Sequence, residues 1–339
     1  MKSTRLTLNN FSLPFNTHGI DVISSPSDPS TVLIFAINHL PNPSNPSNPP
    51  GTSPDPKHPK ALSQIELFIH TLNTTFATHI RSIRQPLIRT PNDIYARSPA
   101  SIFVTNDHHY REGVMRLVED IAYLPLAPWT DLIHLEMQDP NNAAGDPEAS
   151  ILGNTAIKGL HNNNGLGHGP QSPSSSPSPS EQEILIARAP AGTLVLAHSP
   201  AHTSSTLAVH SSIQVPSTIG NPSYFHDPFA AQTGRDASGY VLAGLWRAAA
   251  IPGAGGMDPA VVRFVQRTQR DGALENLRKG KGKGRGKGKY ETRMLFRDDG
   301  ATLRSASMAV LVAIDPRENG GGKEAWLFVT GLVVCRVVF

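Results

Sequence analysis

Apolar residues in this chain come in short runs, each cut off by Gly, Pro, Asn or Asp before it reaches helical length. Examples are Thr31–Asn38 (TVLIFAIN), Gln64–His70 (QIELFIH), Ser101–Thr105 (SIFVT), Leu132–Met137 (LIHLEM) and Glu183–Ala189 (EILIARA). The series continues with Thr193–His198, Leu207–Val215, Tyr240–Trp246, Tyr290–Arg297, Met308–Ile314 and the apolar end Ala325–Phe339. Runs of this length, rich in β-branched residues and bounded by turn formers, read as strands. Helical periodicity is confined to Glu112–Asp120 and Pro259–Gln269, the second with Asp258 as N-cap before a proline. Many strands and few helices leave a sandwich, a barrel or a propeller. Strand clusters recurring at roughly 40–50 residues favour propeller blades. The 28 Gly and 30 Pro fit a chain dominated by turns and inserted loops.

Three segments carry too little apolar surface to belong to a core: about 41–59, 171–182 and 279–289. The expected organisation is one domain over 1–339 with these three as insertions. The last segment, Lys279–Lys289, is a Gly/Lys run holding six of the basic residues. Without it the net charge of +3 becomes −3, so basicity is not a property of the folded body and no nucleic-acid partner is expected. The N-terminus has no apolar run of signal-peptide length, and no stretch reaches the ~18 apolar residues of a membrane helix. No compartment follows from this. The lone Cys335 cannot form an intramolecular disulfide.

Polar clusters punctuate the strand runs: Asn16-Thr-His18-Gly19, Asn38-His39, Asn92-Asp93, Thr105-Asn-Asp107-His108, Asn162-Asn-Asn164-Gly165 and Gly220-Asn221. Any one of them reads as a turn. Together they hold the oxygen donors a hard cation such as calcium takes six to eight of. Asn92, Asn164 and Asn221 are expected on separate strand-connecting loops, 72 and 57 residues apart. No His/Cys set at zinc spacing stands out.

The ordered series His18-Gly19-Ile20, Val32 to His39, Thr90-Pro-Asn92-Asp93-Ile94, Phe103-Val-Thr-Asn-Asp107-His108 and Asn164-Gly165 resembles the serum paraoxonase/arylesterase family. Ile65-Glu-Leu-Phe68 and Ile186 to Leu196 fit the same likeness, which runs from about Asn16 to Trp246. The resemblance implies an all-β, six-bladed β-propeller with calcium ions in its central tunnel and a small ester or lactone as substrate. It implies that His18 and His39 are the catalytic pair, His18 as base and His39 as relay. Asn92, Asn164 and Asn221 would hold the catalytic calcium. Asp93 and the carbonyl of Ile20 would hold the structural one, and Asp107 and His108 would lie at the pocket.

Relative to the family pattern, this chain begins close to His18. That suggests an incomplete, N-terminally truncated propeller lacking the first blade or more, with its acidic ligands. The family's aspartate is replaced by Gly220, so calcium binding is expected to be weak. The alternative function is an inactive propeller that serves as a binding module. A related propeller of the strictosidine-synthase or gluconolactonase kind fits the fold but matches the Thr-Asn-Asp-His run less well.

Overall fold

A computed structural model describes residues 4–42, 61–121, 128–138, 147–148, 150–170, 182–200, 204–246, 259–268, 290–298, 303 and 305–331. Of the proposed insertions at 41–59, 171–182 and 279–289, all but residues 41, 42 and 182 lie outside the described residues, as does Cys335. The chain divides into two compact units. One comprises Met1–Leu166, Gln171–Arg188 and Leu196–His210, the other Gly167–Pro170, Ala189–Val195 and Ser211–Phe339.

The first unit opens with an antiparallel meander of β2 (Thr17–Ser24), β3 (Thr31–Pro41), β4 (Ala61–Thr71) and β5 (Phe76–Ile83). The short β1 (Thr7–Asn9) adds parallel to β5. A second meander follows: β6 (Pro91–Ser98), β7 (Ser101–Asn106), β8 (Thr130–Met137) and β9 (Ile151–Leu160). Phe35, Ile37, Ile65, Leu67 and Ile83 of the first sheet pack with Ile94, Ile102, Val104, Ile133 and Leu135 of the second into one core. The apolar runs are thus strands with one face in a shared interior, as period-two patterning requires.

A third sheet runs in the order β10 (Asn163–His168), β11 (Ile184–Arg188), β12 (Thr193–His198), β13 (Ala208–Gln214). In the second unit β14 (Pro222–Phe225), β15 (Gly239–Leu245), β16 (Ala260–Arg267) and β17 (Tyr290–Arg297) form another antiparallel meander. There β18 (Ala306–Ile314) pairs with β19 (Glu324–Gly331). Val241, Ala243, Val262 and Phe264 pack with Ala306, Ala309 and Val329. The protein is therefore all-β, built from successive sheets with few helices, a pattern consistent with propeller blades.

Two sequence expectations need correction. The helix expected at Pro259–Gln269 is strand β16. Its residues Ala260 to Val265 are buried on both faces between β15 and β17. A central strand of this kind gives a continuous apolar run that mimics helical spacing. By contrast, the helix expected at Glu112–Asp120 is present as α1 (Val114–Ile121). The second correction concerns the asparagines. Asn92 is in β6, Asn164 is in β10, and Asn221 directly precedes β14. Asn92 and Asn164 belong to the opening strands of successive sheets, not to the loops between strands, whereas Asn221 lies at the end of the connection from β13 to β14.

Candidate active site

The site of the first unit is built around two irregularities in strand register. Strand β2 pairs regularly with β3 at Thr17↔Asn38 and again from Ile20↔Ala36, so His18 and Gly19 sit in a bulge. Strand β6 pairs with β7 at Pro91↔Asn106 and again from Ile94↔Val104, so Asn92 and Asp93 sit in another. A bulge leaves residues unpaired in the ladder and re-aims their side chains.

The segment before β2 is fixed from below. Phe11 and Phe15 pack edge-on against Phe68, and Phe11 also packs on His79. Buried Asn38 accepts the backbone N–H of Asn16 at 2.8 Å and donates to the carbonyl of Pro14 at 2.9 Å and to Glu66 at 3.1 Å. Asn16 and His39 exchange backbone and side-chain hydrogen bonds at 3.0 and 3.2 Å. Burial alone would push the Glu66 carboxyl up. Hydrogen bonds from His79, Ser82, Gln64 and Asn38 outweigh it and hold the pKa below the usual value.

On this base the two imidazoles meet. His18 Nδ1 lies 3.3 Å from His39 Nε2, with the rings inclined at 60°. The other nitrogen of His39, Nδ1, lies 2.8 Å from Ser63 Oγ. Ser63 is the direct cross-strand neighbour of His39 in the β3–β4 ladder. Burial lowers the pKa of His39 below its ordinary value, with His18 and Arg111 acting in the same direction and Asp107 opposing. His39 is therefore neutral at neutral pH. His18 is exposed.

Next to the pair, Gly19 packs directly on β6. A Cβ there would come within 2.5 Å of the Asp93 Cα and 2.6 Å of Asp93 Oδ1. Asp93 is only 2% exposed. Its carboxylate accepts the amides of Ile94 at 3.0 Å and Leu166 at 2.8 Å. Burial pushes its pKa to about 8 in spite of those two amides, and the neighbouring Asp21 adds to the rise. Asp21 in turn accepts the Ala96 amide at 2.6 Å. Ile20, two residues beyond His18, is 48% exposed on β2.

Asn92 turns its amide N–H toward Asp107 at 3.4 Å, and Asp107 pairs with His108 Nδ1 at 3.0 Å. Burial would raise the Asp107 pKa, but His108 and Arg116 hold it below the usual value. His108 Nε2 lies 3.4 Å from Asn162. The backbone carbonyl of Asn164 accepts the Thr105 hydroxyl at 2.8 Å. Arg111 donates to the carbonyls of Ala61 and Arg89, tacking α1's approach segment onto β4 and the segment that leads into β6.

In the second unit Asn221 makes a lone parallel bridge to Met308 and donates its N–H to the Ser307 carbonyl at 2.7 Å. Asp227, the nearest carboxylate in sequence, is committed elsewhere. It accepts from Phe229 N, Ala237 N and Lys323 Nζ. Asp21, Ser63 and Arg111 were not singled out from the sequence. Cross-strand register brings Ser63 to His39, the packing of one sheet on the next brings Asp21 near Asp93, and Arg111 arrives from the segment before α1.

The chain is all-β, with His18 in a bulge of β2, His39 beside it on β3 and the buried Asp93 in a bulge of β6. Residues 56–142 match the Arylesterase family. The chain is 27% identical over 130 residues to serum paraoxonase/arylesterase 2 of Gallus gallus, covering 38% of this chain and 30% of the relative. It is 26% identical over 120 residues to serum paraoxonase/arylesterase 2 of Homo sapiens (35% and 27% of the two chains). It is 34% identical over 77 residues to human serum paraoxonase/arylesterase 1 (23% and 21%). The chain is related to the serum paraoxonase/arylesterase family, and the alignments span about a third or less of the curated relatives' length.

Proposed function

We propose that the protein hydrolyses small carboxylic esters of the aryl ester or lactone type, with calcium as cofactor. The observation that carries the reading is the 3.3 Å contact between His18 and His39, held by the β2 bulge beside Asp93. The names of the relatives point the same way.

His18, exposed and outermost, takes a proton from water as general base. The proton on its inner nitrogen is shared with neutral His39. Water's hydroxide attacks the ester carbonyl, and the pair returns the proton to the leaving oxygen. The donor set around Asp93 fits a hard cation. A buried carboxylate with a second acid nearby, and no cationic partner among the described residues, is costly unless a divalent ion neutralises it. Among the described residues no cluster of three or more His, Cys, Asp or Glu is placed to bind a metal, so amide and carbonyl oxygens must complete the shell. Asp93 and the Ile20 carbonyl would hold one ion, and Asn92 and Asn164 would offer oxygens to another. Such an ion supplies Lewis-acid stabilisation of the developing oxyanion. Asp107 and His108 shape the neighbouring wall, and no helix among the described residues is long and apolar enough to cross a membrane.

Phenyl acetate and δ-lactone hydrolysis with calcium or EDTA tests this. Turnover abolished by EDTA and lowered roughly 100-fold or more in His18→Gln is expected. Full activity in that variant overturns the assignment of the base. Gly220 favours a second reading, a binding module without turnover, because the position offers no side-chain ligand. Calcium binding with no hydrolysis of either substrate would select it.

A further inference from the structure

We propose that Ser63 is a positioning residue, whose hydroxyl accepts the Nδ1–H of His39 and thereby fixes the tautomer that leaves His18 basic. The inference rests on the hydrolase reading of the same site. Its geometry is the unbroken series Ser63 Oγ, His39 and His18, with contacts of 2.8 and 3.3 Å.

A neutral imidazole carries one proton, so each contact in the series constrains the next. If Ser63 accepts from His39 Nδ1, then His39 Nε2 is a lone pair and must accept from His18 Nδ1–H. The Nε2 of His18 is then also a lone pair, on the exposed side of the dyad, free to take a proton from water. If Ser63 instead donates, His39 Nε2 carries hydrogen and donates to His18 Nδ1. The outer nitrogen of His18 is then protonated and useless as a base. One serine hydroxyl therefore selects between a competent and an incompetent dyad. This is the role a third group plays in orienting a catalytic imidazole.

The position is built for such a task. Ser63 faces His39 directly across the antiparallel ladder, where neighbouring Cβ atoms lie about 5 Å apart. The β3–β4 pairing runs in unbroken register from Thr31↔Thr71 to Pro41↔Ala61, which fixes that distance. Arg111 further anchors the start of β4 through the Ala61 carbonyl. His39 is neutral at neutral pH for the reasons given above, as the one-proton argument requires.

The experiment combines kinetics with nitrogen-15 NMR of the histidines in the full chain, comparing Ser63→Ala and Ser63→Thr. Nitrogen-15 shifts of His39 are expected to report the Nδ1–H tautomer in the parent chain and its loss in Ser63→Ala. In the same variant kcat should fall roughly tenfold with KM within about twofold, and Ser63→Thr should recover both signals. An Nε2–H tautomer in the parent chain, or an unchanged tautomer in Ser63→Ala, overturns the proposal. So does an unchanged kcat in Ser63→Ala where His18→Gln abolishes turnover, and that result leaves the hydrolase reading standing. If the parent chain hydrolyses nothing, the hydrolase reading fails and the NMR comparison alone decides whether Ser63 sets the tautomer. A thermal melt of each variant separates loss of folding from loss of positioning.

Discussion

Asp93 and Asp227 are both buried aspartates, and their surroundings treat the charge in opposite ways. Asp227, in the second unit, receives two backbone amides and the Lys323 ammonium, which outweigh burial and hold its pKa below the ordinary value. Asp93, in the first, receives two backbone amides and no cation among the described residues, and burial drives its pKa to about 8. A charge that the fold neutralises from within is structural. A charge left uncompensated in a site bearing two histidines is an opening for an external cation.

The largest expected effect follows from Asp93. Its folded pKa is raised, so between pH 4 and 8 the folded state holds a proton the unfolded state has released. Metal-free stability should therefore fall as pH rises through that window, by a total on the order of 5 kcal/mol. Calcium at pH 8 should restore part of it by binding the folded form alone. Denaturant midpoints in EDTA and in calcium across this range measure both. Asp93→Asn should flatten the pH slope and abolish the calcium response. A metal-free protein equally stable at pH 5 and pH 8 would remove the contrast between the two aspartates.

A pair of glycines sharpens the same comparison. A Cβ at Gly19 would run into Asp93, while a Cβ at Gly220 would run into the Ser307 carbonyl at 2.4 Å. Gly220 is thus required by close backbone approach, reinforced by amide bonds from Gly220 to Ala243 and from Asn221 to Ser307, each 2.7 Å. Gly19→Ala and Gly220→Ala should each cost about 1–3 kcal/mol of stability. Only Gly19→Ala should also weaken calcium binding, measured by calorimetric titration. Gly220→Asp should not tighten it. Tighter binding in that variant would show that the missing aspartate, and not packing, decides what position 220 does.

Much of this was legible in the sequence, and the gaps share a physical origin. Runs such as TVLIFAIN announce strands because alternation and β-branching survive in them. The strands carrying the site were hidden. Thr17–Ser24 and Pro91–Ser98 contain His, Gly, Asn and Asp where the ladder bulges, and bulge residues use the same types as turns; Asn163–His168 is likewise rich in Asn and Gly. The isolated Gly19 inside a run ending in Ile-Asp-Val-Ile was the available signal for a bulge. Ser63 and Asp21 left no such signal, since the significance of Ser63 lies in which residue stands across the sheet and that of Asp21 in which strand of the next sheet packs against it. The strand β16 failed in the other direction, because burial on both faces erased the alternation that separates strand from helix.

The smallest effect tests the self-sufficient half of the comparison. Lys323 is about a quarter exposed and precedes β19, while the Asp227 carboxylate it meets is almost wholly buried. Lys323→Met removes the cation and leaves the acid with its two amides, a state resembling that of Asp93. The loss should be about 1–3 kcal/mol, less than for a fully buried pair because water reaches the lysine. Its pH dependence carries the sharper information. In the parent protein the depressed pKa of Asp227 adds stability above the ordinary aspartate range that is lost as pH falls through the folded value. In Lys323→Met that acid-side loss should shrink, since the carboxyl then titrates nearer its burial-raised value. Calcium affinity should stay at the parent level, because Asp227 has no part in holding the ion. A calcium affinity that rises in Lys323→Met would mean the freed carboxylate had become a ligand, and the two aspartates would then differ only in which cation each happens to hold.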